Sequence, residues 1–225
     1  MYKGILPVNK PKGITSFKLI PVLRKLCNEK TVGHAGTLDP FATGVLILLI
    51  GREYTKLSDK LLTQDKAYKA RLLLGISTDT FDCEGQVVAK NELVPTLSQI
   101  EETLSCFQGE VEQIPPMFSA KKIGGKKLYD LARQGVVVER QAVKVNMKTQ
   151  FISYNYPYID IEVKCSKGTY IRSIADDMGK MLGCGAHLIA LERTHSGSFS
   201  LEQCLDGELL LDRSSNIDLN LWLQK

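Results

Sequence analysis

Asp39 is the residue that its neighbours best equip for chemistry. It lies in Gly33-His34-Ala35-Gly36-Thr37-Leu38-Asp39-Pro40-Phe41-Ala42-Thr43-Gly44, a dozen residues holding one carboxylate, one imidazole and three glycines. The segment runs directly into Val45-Leu46-Ile47-Leu48-Leu49-Ile50-Gly51, an apolar run with the length of a strand buried on both faces. Asp39 is therefore expected on a tight loop beside a rigid core element, a common way to present a catalytic acid. At a reference pKa of about 3.9 it is ionised at neutral pH unless burial raises it. An ionised carboxylate can act as a nucleophile or remove a proton. The same residues also spell ordinary turn chemistry, since Gly accepts positive φ and Asp bonds its own backbone. The loop lacks the Gly-Lys-Ser/Thr of a phosphate-cradling P-loop and the Gly-x-Gly-x-x-Gly spacing of a dinucleotide fold.

The elements that must hold this loop are legible in outline. Ile5 to Val8 reads as a strand, and Thr15 or Ser16 opens a helix to about Leu26, with Pro21 marking a kink or the true first turn. Glu53 to Leu62 reads as a helix, and Ala67 to Gly75 and Gly85 to Lys90 as strands. Thr96-Leu97-Ser98-Gln99 is a capping box whose helix places Leu97, Ile100 and Leu104 on one face. Lys127 to Gln134 reads as a short helix stopped at Gly135. Val136 to Val138 and Val143 to Ser153 read as extended, and Tyr158 to Cys165 alternates with Ile159, Ile161, Val163 and Cys165 on one side. Ile171 to Leu182 reads as a helix, followed by strands at Ala186 to Arg193 and Ser196 to Leu201. Strands and helices mix without regular βαβ alternation, which predicts an α+β fold with a large mixed sheet.

With 225 residues, 44% of them hydrophobic, the chain can form one good-sized core or one domain with a small appendage. The segment at the N-terminus does not read as a signal peptide, and the apolar run Val45 to Ile50 falls far short of the roughly 20 residues that span a bilayer. The expectation is a soluble cytoplasmic protein. The six cysteines (Cys27, Cys83, Cys106, Cys165, Cys184 and Cys204) form no Cys-x-x-Cys pair, and the three histidines (His34, His187 and His195) form no metal-ligand spacing with them. No metal site is expected, and the cysteines read as reduced thiols.

Net charge is +4, but it is unevenly spread. Between Lys121 and Lys148 eight basic residues face two acidic ones, a local +6 that leaves −2 for the rest. Lys3, Lys10, Lys12, Lys18, Arg24, Lys25 and Lys30 precede the Asp39 loop. Cation concentrated in this way favours a polyanionic partner.

The Asp39 segment resembles the catalytic motif of the TruB family of tRNA pseudouridine synthases, G-H-x-G-x-L-D-P-x-A-x-G. Every fixed position is met, by Gly33, His34, Gly36, Leu38, Asp39, Pro40, Ala42 and Gly44. The resemblance runs from about Gly4 to Phe199. It implies the pseudouridine-synthase fold, a mixed and mostly antiparallel sheet with flanking helices and a central cleft. It also implies a cofactor-free isomerase that converts the T-loop uridine of tRNA, conventionally numbered fifty-five, to pseudouridine. One essential aspartate, here Asp39, acts on a flipped-out base. It attacks the base or the ribose carbon, or it takes a ribose proton, and the sequence does not choose among these.

Other roles follow from the same resemblance. A buried carboxylate needs a cation partner, and Lys167-Gly168-Thr169-Tyr170-Ile171-Arg172-Ser173-Ile174-Ala175-Asp176-Asp177 matches K-G-T-Y-I-R-S-L-x-x-D with Ile174 in place of Leu. Arg172 falls on the family arginine that pairs with the aspartate and orients it. Tyr68 matches the tyrosine that stacks on the uracil, and His34 the histidine that contacts the RNA where that base has left the loop. Asn9-Lys10-Pro11-Lys12-Gly13 matches the K-P-x-G signature, with Lys10 and Pro11 near the active-site loop. Gly36 belongs to the same substrate-binding loop, and Leu191 would line the uracil pocket. Glu192 departs from the basic residue expected beside it.

The stretch from about 114 to 140, with Lys121 among its cations, resembles a mobile basic thumb-like insert that closes on RNA. Residues 1–205 read as the catalytic domain and 206–225 as a short tail. From Glu202 onward the acidic residues Glu202, Asp206, Glu208, Asp212 and Asp218 face Arg213 and Lys225, net −3. Many bacterial members carry a C-terminal PUA domain that holds the tRNA acceptor stem, and no complete one is expected here. The implied partner is the T-arm of tRNA, bound by a monomer without cofactor or membrane. The alternative is a non-catalytic RNA-binding or tRNA-folding protein on the same scaffold.

Overall fold

The computed structural model describes residues 2–119, 121–212, 214 and 217–224. Ala120 of the basic insert, and Arg213 and Lys225 of the expected tail, lie outside the described residues. The chain forms two compact units, one from residues 1–69 and 191–225 and the other from residues 70–190.

In the first unit the apolar run becomes β3 (Thr43–Ile50), and from Gly44 to Ile50 every residue is buried. Its odd-numbered side chains Val45, Ile47 and Leu49 join Ile5, Ala35, Leu61 and Phe199 in one core cluster. Leu46, Leu48 and Ile50, each 0% exposed, fill the opposite face. Three strands enclose its edges. β1 (Gly4–Lys10) runs antiparallel along one edge, from Gly4 opposite Ile50 to Lys10 opposite Gly44. On the other edge β2 (Val32–Ala35) covers Ile47 to Ile50, and the strand Ala186–Ser196 runs parallel with Glu192 opposite Thr43 and Arg193 opposite Gly44. That edge thus divides between two partners near Val45 and Leu46. The loop bearing Asp39 leaves β2 at this fork.

The helix α1 (Leu19–Cys27) follows a 3-10 turn at Ser16–Lys18, with Pro21 in its first turn. A proline is tolerated there because its missing N–H would be unsatisfied in any case. The expected single helix at 53 to 62 is instead two short ones, Arg52–Thr55 and Ser58–Leu62. The break lets Tyr54 and Leu61 both reach the core cluster. Of the expected strand from Ser196 to Leu201, Ser196 ends the strand Ala186–Ser196, and Phe199–Ser200 folds back opposite His195 and Ser196 before Leu201–Gln203 turns into a 3-10 helix. The last residues pack onto β1. Val8 and Asn9 pair with Leu205 and Asp206, Ile5 exchanges two 2.8 Å backbone bonds with Gln224, and Leu210 and Leu219 are buried.

In the second unit Tyr158–Cys165 pairs antiparallel with Val143–Asn155, which pairs in turn with Gln108–Gln113. Ile159, Ile161 and Val163 are fully buried and Cys165 nearly so, as the alternation predicts. The capping box at Thr96 and Gln99 is formed, and Ile100 and Leu104 are buried, but Leu97 is 45% exposed and lies off that face. Val136 to Val138 form no strand, and Val137 is 79% exposed. Their β-branched side chains suit a strand, but no described strand offers them a partner edge. Helices flank the strands of both units, and parallel and antiparallel pairs are mixed, giving an α+β fold.

Candidate active site

The Asp39 loop is held from both sides of the aspartate by buried polar contacts within the first unit. Before it, Ser16 Oγ donates to the Leu38 carbonyl at 3.1 Å and accepts from the Leu38 amide at 2.9 Å. Leu38 and Phe41 bury their side chains while Asp39 stays half-buried between them. After it, the Pro40 carbonyl accepts from the Gly13 amide at 2.8 Å and from Lys10 Nζ at 3.3 Å. The Asp39 carbonyl accepts from the Ala42 amide at 3.1 Å, closing a tight turn.

Lys10 is 0% exposed, and its ammonium also donates to the carbonyls of Pro11 and Ile14, each at 2.8 Å. A buried ammonium is tolerable only when its protons are bonded in this way. Lys10 thus ties Pro11, Ile14 and Pro40 together. Gly36 is half-buried in the loop with φ +84°, and its carbonyl accepts from Arg193 Nη2 at 3.2 Å. Gly44 closes the loop at φ +101°, and any Cβ there would lie 2.3 Å from the Arg193 carbonyl oxygen. Only glycine allows the two backbones this approach.

His34 sits in β2, half-buried, opposite Leu48. Its Nδ1 is buried with no hydrogen-bond partner among the described residues. Burial, and secondly the Arg193 charge, hold the imidazole pKa below its usual 6.5, so the ring is neutral at pH 7. Tyr68 lies on Lys66–Leu74, 8% exposed, on the side of that strand that also carries Ala70, Leu72 and Leu74. Leu191 is 8% exposed on Ala186–Ser196.

In the second unit Arg172 lies in the first turn of the helix Ile171–Met181 and is 7% exposed. Its Nη1 stands 3.3 Å from Asp82 Oδ2 and donates to the Thr80 carbonyl, and its Nη2 donates to the Phe118 carbonyl at 2.8 Å. Asp82 is 3% exposed and is itself fixed, accepting from Thr80 Oγ1 at 2.6 Å and from the Glu84 amide at 3.0 Å. Gln113 seats the start of the helix, donating to the Tyr170 carbonyl and accepting from its amide. Arg172 is therefore a rigidly aimed cation. Asp82 is a partner that the sequence reading did not name. The insert carries a small hairpin, Lys122–Ile123 with Lys126–Lys127, and a helix Leu128–Arg133. Lys121 is half-buried, and its carbonyl accepts from the Leu128 amide.

The contributions of Ser16, Asp82 and Arg193 were the ones sequence reasoning missed. Two of them, Ser16 and Arg193, lay in segments already read, as a helix opener and a strand, but their partners are distant in the chain. Among the described residues no cluster of His, Cys, Asp or Glu is arranged to hold a metal ion. Nor is any described helix long and apolar enough to cross a membrane.

Residues 24–171 match the TruB family pseudouridylate synthase N-terminal domain, and residues 172–219 match the tRNA pseudouridylate synthase B C-terminal domain. The chain belongs to the TruB family of pseudouridine synthases. It is 59% identical over 219 residues to the tRNA pseudouridine synthase B of Protochlamydia amoebophila, covering 97% of this chain and 83% of that one. With the protein of the same name from Chlamydia felis the identity is 58%, covering 94% and 89%. Among solved structures, a chain in a Cbf5-Nop10-Gar1 complex has 26% identity and a TM-score of 0.72, covering 97% of this chain and 58% of that one. A chain in an H/ACA RNP bound to a substrate RNA containing 2'-deoxyuridine has 25% identity and a TM-score of 0.68, covering 92% and 52%. The fold is that of the pseudouridine synthases, and the protein is an isomerase of that class.

Proposed function

We propose that this chain isomerises the T-loop uridine of tRNA, position fifty-five, to pseudouridine, with Asp39 as the essential carboxylate. The observation that carries the proposal is the rigid presentation of Asp39, half-exposed between Leu38 and Pro40, whose backbones are clamped by Ser16, Gly13 and Lys10. The relatives named above support tRNA as the substrate. In the reaction the N-glycosidic bond breaks, the uracil turns, and its C5 bonds to the ribose while the C5 proton leaves. Asp39 serves as nucleophile or as base in this sequence. Tyr68 offers an aromatic face for the flipped base, and Arg172 is the proposed active-site cation. His34, neutral and half-buried, is suited to contact RNA as a single donor or acceptor. Leu191, Pro11 and Gly36 shape the substrate side. Lys121 and the other cations of the insert meet phosphate.

The test is tritium release from C5-labelled T-arm RNA. Asp39→Asn should abolish release while RNA binding stays within about tenfold, because phosphate contacts carry most affinity. Turnover by this variant at the wild-type rate would remove Asp39 from catalysis. An isolated T-stem-loop should be modified with a kcat/KM within about a hundredfold of whole tRNA, a gap below about 2.7 kcal/mol. A larger preference for whole tRNA would place a second RNA-gripping surface outside the T-arm contacts. A chain that binds tRNA tightly yet releases no tritium would favour the RNA-folding alternative.

A further inference from the structure

Arg193 is 1% exposed, one of the two largest fully buried side chains of the described residues. Its Nε donates to the Val45 carbonyl at 2.6 Å, its Nη2 to Gly36 at 3.2 Å and its Nη1 to Thr37 at 3.4 Å. All three acceptors are backbone carbonyls, and no carboxylate is paired with it among the described residues. The Val45 carbonyl lies at the fork where β3 changes partner from the strand of Arg193 to β2. Gly36 and Thr37 begin the limb of the loop that leads to Asp39.

We infer that Arg193 is a positioning residue for the catalytic loop, a guanidinium plug in the fork of the sheet that sets where the Asp39 carboxylate stands. The inference rests on the proposed role of Asp39. A planar guanidinium can serve three diverging carbonyls at once, whereas the point charge of a lysine cannot. A buried cation without a carboxylate is a costly filler, and an apolar side chain of similar volume is often as stable or more so. A cation kept here nevertheless is explained by what it holds in place. The sequence makes room for it. Glycine at position 44 admits its backbone, and Gly36, at φ +84°, presents the carbonyl that Nη2 holds. Arg193 also reaches the second functional group of the loop, since its charge helps keep His34 neutral.

The test uses Arg193→Lys and Arg193→Gln in the full chain, with wild type turning over T-arm RNA as control. Arg193→Lys should fold, bind RNA within about threefold of wild type, and lose tenfold or more in kcat. A folded Arg193→Lys with kcat within twofold of wild type, or a loss confined to KM, would overturn the inference. In Arg193→Gln the His34 imidazole, followed by NMR, should titrate at higher pH than in wild type, because the charge that helps hold its pKa down is gone. An unchanged titration counts against the inference. Should neither variant fold, wild-type NMR decides. The Arg193 Nε–H should exchange slowly and its two Nη groups should be inequivalent, and a freely rotating guanidinium would refute the grip. If wild type itself releases no tritium, the proposed function fails, while the NMR measurements still judge the plug.

Discussion

The Ser16 hydroxyl bonds the backbone of Leu38 twice, donating to its carbonyl and accepting from its amide, so a side chain stands in for a missing strand immediately before Asp39. Ser16→Ala leaves both buried groups unsatisfied. It should cost about 1–3 kcal/mol of stability, by the usual penalty for an unmet buried donor or acceptor. Urea denaturation is the measurement, and an unchanged midpoint would show that water replaces the hydroxyl. Turnover should fall more than RNA affinity, because the loop that loosens carries the carboxylate.

Asp82 and Arg172 form a pair in which each side chain is less than a tenth exposed. Asp82→Ala removes one partner of a buried ion pair, and the expected loss is about 3–5 kcal/mol. Equilibrium unfolding of the variant beside wild type checks this. A loss under 1 kcal/mol would mean that the other contacts of Arg172, the Thr80 and Phe118 carbonyls among them, hold it without Asp82.

His34 gives the fold an acid-sensitive element. Its pKa is lowered in the folded state by burial and by Arg193, so the unfolded chain takes up the proton first. Stability is therefore fully present above about pH 6.5 and declines as pH falls below it. Melting temperatures from pH 8 to pH 5 should show this decline in wild type and a shallower one in His34→Asn. Parallel curves for the two proteins would contradict it.

The thiols should divide by exposure. Cys83 and Cys106 are exposed, and Cys27, Cys165, Cys184 and Cys204 are buried. Burial pushes the Cys27 thiol up to about 11 and the Cys204 thiol up to about 12, which leaves almost no thiolate at neutral pH. A thiol reagent should label two cysteines quickly and four only on unfolding. Rapid labelling of Cys204 would show that the Leu205–Asp206 pairing with β1 opens readily.

The last residues are part of the first unit's core, so removing residues 207–224 should lower the melting point by 10 °C or more. It strips Leu210 and Leu219 from the interior and the Gln224 bridge from Ile5. A truncated chain that melts like wild type would refute this.

Much of the first unit was legible because its signals are local. Seven consecutive apolar or glycine residues announced β3, and the Asp39 segment carried its chemistry in adjacent residue types. The missed parts are long-range. Ser16 finds Leu38 22 residues away, and Arg193 finds Val45 148 residues away, separations at which no periodicity speaks. Gln108–Gln113 escaped notice because Gln-Gly-Glu-Val-Glu-Gln lacks an apolar alternation, and its neighbour supplies the ladder. Val136 to Val138 show the opposite error, a strong β composition with no edge to join.

The divided edge of β3 has a consequence for synthesis on the ribosome. β1, β2 and β3 can pair as soon as the first fifty or so residues have emerged, since their contacts are local. The parallel strand that completes the fork, and the arginine that fills it, are translated more than a hundred residues later. A nascent chain stalled before Arg193 can hold a folded hairpin with Asp39 at its tip and still lack the wedge that fixes it. Catalytic competence should arrive late and abruptly in translation, after most of the chain has already found its shape.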